Sequence, residues 1–109
     1  MTLLQFKRDL ETALRLHFPS ARPSFAESRG VALTCRAELT SDVFLAVYFN
    51  ALTGNTSYAL IQQGQRVAGC DNHRFWHMHP LHAPAQHISC DAPTPGEAMA
   101  QLAAAYSQL

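Results

Sequence analysis

Five of the six histidines in this chain fall between Asp71 and His87, in the string Asp-Asn-His-Arg-Phe-Trp-His-Met-His-Pro-Leu-His-Ala-Pro-Ala-Gln-His. A segment selected only for packing has no use for so many imidazoles, so chemistry is expected here. If Trp76 to Pro80 is extended, His77 and His79 project to one side and Met78 to the other. Two imidazoles on one face support two kinds of chemistry. In one, His77 and His79 combine with His87 or Asp71 to hold zinc or another divalent transition metal, for which neutral imidazole is a common ligand. In the other, one imidazole takes a proton and another returns one, as in cleavage of RNA by its own 2′-hydroxyl, while Arg66 or Arg74 steadies the phosphate. The second needs no cofactor.

Asp71 and Asn72 follow a strand-like run ending near Gly69, where a sheet hands over to a loop and side chains are rigidly placed. An Asx turn alone would also account for the pair. His73 and His82 read as ordinary loop residues, and His17 as packing at a helix end, where the C-terminal dipole suits an imidazole. Phe75 and Trp76 can stack on a base, but anchoring the loop to the core is the simpler use of two large rings.

The elements that must position these residues are legible around them. Thr2 and Gln5 form the two ends of a capping box, and Leu3, Phe6, Leu10, Ala13, Leu14 and His17 recur at helical spacing until Pro19 stops the run. Val31, Leu33, Cys35, Ala37 and Leu39 alternate with Ala32, Thr34, Arg36, Glu38 and Thr40, the period of a strand with one wet face. Val43 to Phe49 is apolar on both faces and belongs centrally in the sheet. Turns at Leu52-Thr53-Gly54-Asn55 and Gln63-Gly64 lead into Thr56 to Gln62 and Gln65 to Cys70. Segment Pro23 to Ser28 can add an edge strand. Prolines at 80, 84, 93 and 95 make Asn72 to Pro93 read as mainly extended or looping. Thr94-Pro95-Gly96-Glu97 then opens a second helix carrying Met99, Leu102, Ala103 and Tyr106 on one stripe.

The expected architecture is therefore α+β: a curved antiparallel sheet of four to five strands, with the N-terminal and C-terminal helices on one face and the other face free. At 109 residues the chain reads as one domain, 1–109. Hydrophobic residues make up 48% and charged residues 15%, which argues against disorder. Eight basic residues balance eight acidic ones, so no general electrostatic footprint for nucleic acid or an acidic membrane exists, and any RNA contact must be local. Cys35, Cys70 and Cys90 are odd in number and lack CxxC spacing, which points to a reduced compartment and argues against a cysteine-rich structural zinc site. The charges in Thr2–Leu16 interrupt any apolar run, so neither a signal peptide nor a membrane span is expected, and the cytoplasm is the expected location.

The order Thr56-Ser57-Tyr58-Ala59-Leu60-Ile61, Arg66, Asp71-Asn72, Trp76-His77-x-His79-Pro80 and His87, followed by a C-terminal helix, resembles the TumE-like family of small bacterial toxins. The resemblance spans roughly Val31 to Tyr106. It places the family's arginine on Arg66, its Asp-Asn pair on Asp71 and Asn72, its clustered histidines on His77 and His79, and its later histidine on His87. Many relatives have a proline and adjacent histidines after the Asp-Asn pair, whereas this chain has His73-Arg74-Phe75-Trp76 and then a spaced pair. The resemblance implies a growth-inhibiting toxin encoded beside, and neutralised by, a DNA-binding antitoxin protein. Together with the imidazole density it leads to the expectation of a metal-independent ribonuclease using Arg66, Asp71, Asn72, His77, His79 and His87. The alternative is a non-catalytic module that presents a histidine-lined surface to a metal or a partner protein. Either reading requires Asp71, His77, His79 and His87 to gather near the end or open side of the sheet.

Overall fold

A computed structural model describes all 109 residues. Helix α1 (Leu3–His17) starts at Thr2, whose side chain accepts from the Gln5 N–H while the Gln5 side chain accepts from the Thr2 N–H. Seven strands follow: β1 (Arg22–Ser28), β2 (Ala32–Glu38), β3 (Val43–Asn50), β4 (Thr56–Gln62), β5 (Gln65–Asp71), β6 (His77–His79) and β7 (Ile88–Ser89). Helix α2 (Pro95–Tyr106) closes the chain with a second capping box between Thr94 and Glu97. Neighbours in sequence are neighbours in the sheet, and every pair is antiparallel, so the sheet is a meander.

Alternation along the strands sorts the two faces. Leu33, Cys35, Ala37, Val43, Leu45, Val47, Phe49, Tyr58, Leu60, Ala68 and Cys70 are buried beneath the helices. From α1, Phe6 stacks on Phe49 at 4.3 Å and faces Tyr58 at 6.1 Å, while Leu10 and Leu14 complete the helix's buried stripe. From α2, Ala98, Met99 and Leu102 join the same core. The α+β class and the placement of both helices against the sheet match the expectation.

The strand count does not. β1 is the anticipated edge strand, beginning one residue earlier at Arg22, but β6 and β7 lie inside the stretch read as mainly looping. Only three residues of β6 pair with β5 and only two of β7 pair with β6. Strands that short show no readable periodicity, and Pro80 and Pro84 lie between them without interrupting either.

Two local features of the β4–β5 hairpin set the site. Gln63 and Gly64 both have positive φ, 51° and 77°, the backbone of a two-residue type I′ turn whose twist suits a hairpin. Further along, Leu60 faces Ala68 but the adjacent Ile61 faces Arg66, leaving Val67 unpaired as a β-bulge. Without that extra residue Arg66 would share the helix-covered face with Ala68 and Cys70. With it, Arg66 turns to the open face that carries Asp71.

Candidate active site on the open face of the sheet

The open face near the end of β5 and β6 is built by register. Tyr48 pairs with Ser57, Ser57 with Asp71, and Asp71 with His77, so these four side chains form one row across β3 to β6. His79 sits one step along, opposite Gly69. His77 and His79 are therefore on one side of an extended strand, and Met78 packs against the core, as the spacing predicted. Trp76, just before β6, stacks on Tyr58 at 6.4 Å and anchors the strand from the core side. Phe75 does not share that role: it is 53% exposed and meets His77 edge-on at 5.3 Å.

The carboxylate of Asp71 is the hub. Its Oδ1 lies 3.2 Å from His77 Nε2, and its Oδ2 lies 3.1 Å from His79 Nε2. Oδ1 also accepts from the His73 N–H at 3.0 Å, so the anticipated Asx turn exists and the same oxygen serves the cluster. His87, carried on the segment between β6 and β7, stacks on His77 and meets His79 edge-on, with both centroids at 4.7 Å. Potential ligand atoms of His77, His79 and His87 all lie within 4.8 Å of one another, so these three residues can hold a metal ion.

The opposite ring nitrogens are fixed by main chain. His77 Nδ1 lies 2.9 Å from the Phe75 carbonyl, and His79 Nδ1 lies 2.9 Å from the Pro84 carbonyl. A carbonyl oxygen only accepts, so both Nδ1 atoms carry a proton. Arg66 Nη2 also approaches His79 Nδ1, at 3.4 Å, but a guanidinium cannot accept and the shorter carbonyl contact sets the tautomer. Arg66 Nη1 is 3.7 Å from Asp71 Oδ2. These long contacts leave most of the guanidinium's five donors unspent at the rim.

Burial raises the Asp71 pKa, but the His73 N–H and, once His77 and His79 are protonated in acid, the His79 hydrogen bond and the charges of both rings outweigh it and hold the carboxyl below its usual 3.8. His87, although exposed, is lowered from 6.5, first by desolvation and then by repulsion from His77 and His79 when those rings are protonated. Its ring therefore favours the neutral form at neutral pH.

Asn72 has a different task from its neighbours. Its Oδ1 accepts from the Thr56 N–H and its Nδ2 donates to the Gly54 carbonyl, both at 2.8 Å, clamping the β3–β4 turn to the end of β5. Both ends of the amide are thereby committed to backbone. Arg66, Asp71, His77, His79 and His87 converge, and Asn72 borders the same cleft. His82 lines a separate hollow with Leu81 and Pro84, and Arg74 takes no part in lining the cleft.

The cleft has a volume of about 430 Å³. Its lining adds Tyr48, Asn55, Thr56, Ser57 and His73, which the sequence reading did not assign to a site. Ser57 carried a usable signal, since it alternates with the buried Tyr58. For His73 nothing in the pattern distinguished it from a loop residue. Tyr48 is the one hydrophobic residue in the lining, and the cleft's chemistry is that of imidazoles, one carboxylate and a guanidinium, which suits a hydrophilic ligand. No helix is long and apolar enough to cross a membrane. No family model matches the chain, and no curated protein or solved structure matches it either.

Proposed function

We propose that this protein is the toxin of a toxin–antitoxin pair and that it cleaves RNA at the Asp71, His77, His79 and His87 cluster. The observation that carries the reading is the convergence of three imidazoles, a carboxylate and an under-used guanidinium on one open polar cleft. Phosphodiester cleavage by the neighbouring 2′-hydroxyl needs a base at that hydroxyl, an acid at the leaving 5′-oxygen and positive charge on the phosphate. His87, at the mouth of the cleft and biased toward its neutral form, supplies the base. His77 or His79, protonated at the Nε2 that faces Asp71, returns a proton to the leaving 5′-oxygen as the acid, and Arg66 takes a phosphate oxygen, so the step itself needs no metal. A transition metal such as zinc on the same side chains would supply Lewis-acid polarisation of the phosphate. The partner in this reading is a DNA-binding antitoxin protein that neutralises the chain by direct contact, and the cytoplasm is where its RNA target lies.

The test is induced expression of the chain, of a His77→Ala, His79→Ala double variant and of His87→Ala, followed by growth and by electrophoresis of total RNA. Because His77 and His79 are buried, folding of each variant is checked by circular dichroism. Growth arrest with new RNA fragments from the parent, and neither from folded His87→Ala, is the expected result. Undiminished toxicity in both variants would remove the cluster from the mechanism.

One observation favours a second reading, a binding module without turnover. His77 and His79 are only 3% and 2% exposed, so a bound ion or partner meets little more than their ring edges. Stoichiometric zinc in purified protein that leaves RNA intact selects this reading.

A further inference from the structure

We infer that the resting state of this cluster is a divalent transition-metal centre with four protein ligands, His77 Nε2, His79 Nε2, His87 and the carboxylate of Asp71. The inference stands on the geometry of the donor atoms and concerns the resting protein; His87 acts as the base of the proposed cleavage only when its ring nitrogen is released from the ion. With Nδ1 of His77 and of His79 each donating to a main-chain carbonyl at 2.9 Å, the neutral rings have only a lone pair at Nε2. Both lone pairs are aimed at an Asp71 oxygen, at 3.2 and 3.1 Å. These three electron-rich groups repel one another at hydrogen-bond distance, and the Arg66 guanidinium, 3.7 Å from Asp71 Oδ2, reaches only one edge of them. Something positive belongs there.

A proton is the simplest candidate, but one proton serves one ring. Satisfying both Nε2–carboxylate contacts would need two adjacent imidazolium ions, 4.9 Å apart between centroids, with His87 stacked on His77 and edge-on to His79. A single divalent ion serves both contacts at once and also gives His87 a partner. The spacing agrees: donors about 2.0–2.1 Å from a tetrahedral zinc stand roughly 3.3 Å from each other, close to the two Asp71 contacts. The ligand atoms of His77, His79 and His87 lie within 4.8 Å of one another, and His87 is carried on the segment between β6 and β7.

The surroundings fit the same conclusion. Imidazoles that bind metals donate their other ring N–H to a carbonyl or carboxylate, which fixes the tautomer and raises the basicity of the ligating nitrogen. Both buried histidines here have that arrangement. Three nitrogens and one oxygen, with no thiolate, suit a borderline divalent ion of the zinc class. Arg66 pairs with Asp71 Oδ2 at 3.7 Å and the His73 N–H donates to Oδ1 at 3.0 Å, which leaves each oxygen a further lone pair for an ion.

The experiment uses the untagged full chain, with Zn²⁺ and Co²⁺ as probes. Metal content after purification and dialysis is measured first, followed by the visible spectrum on Co²⁺ addition to chelator-treated protein. Long-range ¹H–¹⁵N imidazole spectra of the metal-free protein report which ring nitrogens are protonated. Expected are one equivalent of metal per chain, a saturable Co²⁺ ligand-field band, and Nδ1–H tautomers for two histidines. The band is lost in His87→Ala and in Asp71→Asn, and kept in His82→Ala, whose ring lies outside the cluster. The parent's own spectrum keeps the test valid even if Asp71→Asn fails to fold. Binding of less than one-tenth of an equivalent at 100 µM metal, or two imidazolium rings in place of neutral tautomers at neutral pH, would overturn the inference. Failure of the ribonuclease reading looks different: metal bound at one equivalent with RNA left intact. Conversely, RNA cleavage by protein that takes up no added Zn²⁺ or Co²⁺ would retain the activity and eliminate the centre.

Discussion

Gly69 links the fold to the cluster, and replacing it with alanine should damage both. It sits in β5 between Ala59 and His79, and a Cβ there would collide with the Tyr58 carbonyl oxygen and lie 3.2 Å from Ala59 Cα. Normal contact begins near 3.4 Å, so backbone must move by about an ångström, and the obstacle is main chain rather than a side-chain tip. Overpacking of this kind costs about 1–3 kcal/mol, reduced by up to about 1 kcal/mol because alanine has less chain entropy to lose than glycine. For a domain of this size each kcal/mol moves Tm by roughly 4–6 °C, so a fall of about 5–10 °C is expected in a thermal melt followed by circular dichroism. Gly96→Ala is the control. It lies in the first turn of α2, where the nearest neighbour to a new Cβ is Thr94 Oγ1 at 3.8 Å, so the same substitution should leave Tm unchanged or raise it by a few degrees. Melts of the two variants within 2 °C of each other would refute the close strand approach on which the placement of His79 depends.

Asn72→Ala should cost about 1–3 kcal/mol, because it leaves the Thr56 N–H without its partner, while the Gly54 carbonyl keeps the Thr56 hydroxyl; urea unfolding measures it, and a change below 0.5 kcal/mol would show that water replaces the amide freely. Leu10→Ala, at a position with no exposure, should cost about 2–5 kcal/mol by the same assay, with an unchanged midpoint counting against the α1 packing. Acid should destabilise the metal-free protein in two stages. The lowered His87 pKa means that the unfolded chain takes up a proton more readily as pH drops below about 6.5, and the lowered Asp71 pKa adds a second loss as pH drops below about 4. Unfolding midpoints measured in chelator from pH 7 to pH 3 should therefore decline throughout, and Asp71→Asn should flatten the portion below pH 4; an undiminished slope there would assign the acid sensitivity to other groups.

Local pattern alone determined much of this protein. Both capping boxes, the stripe of Phe6, Leu10 and Leu14, the alternation of Leu33, Cys35 and Ala37, and the turn at Gln63-Gly64 are each written within a few residues, because helix, strand and turn periodicities are short-range properties. Histidine crowding likewise pointed to the right stretch of chain. What only the tertiary structure decided depends on pairing across strands. The bulge at Val67 changes the parity of β5, so that Arg66 and Asp71 share a face that simple alternation from Ala68 and Cys70 denies to Arg66. β6 and β7 exist because β5 offers an edge to pair with, and their own residues are too few to announce a strand. Asn72 became a clamp through Gly54 and Thr56, more than fifteen positions away. The tautomers of His77 and His79 were set by the Phe75 and Pro84 carbonyls, since a ring proton goes where an acceptor stands, and only the folded chain puts an acceptor there.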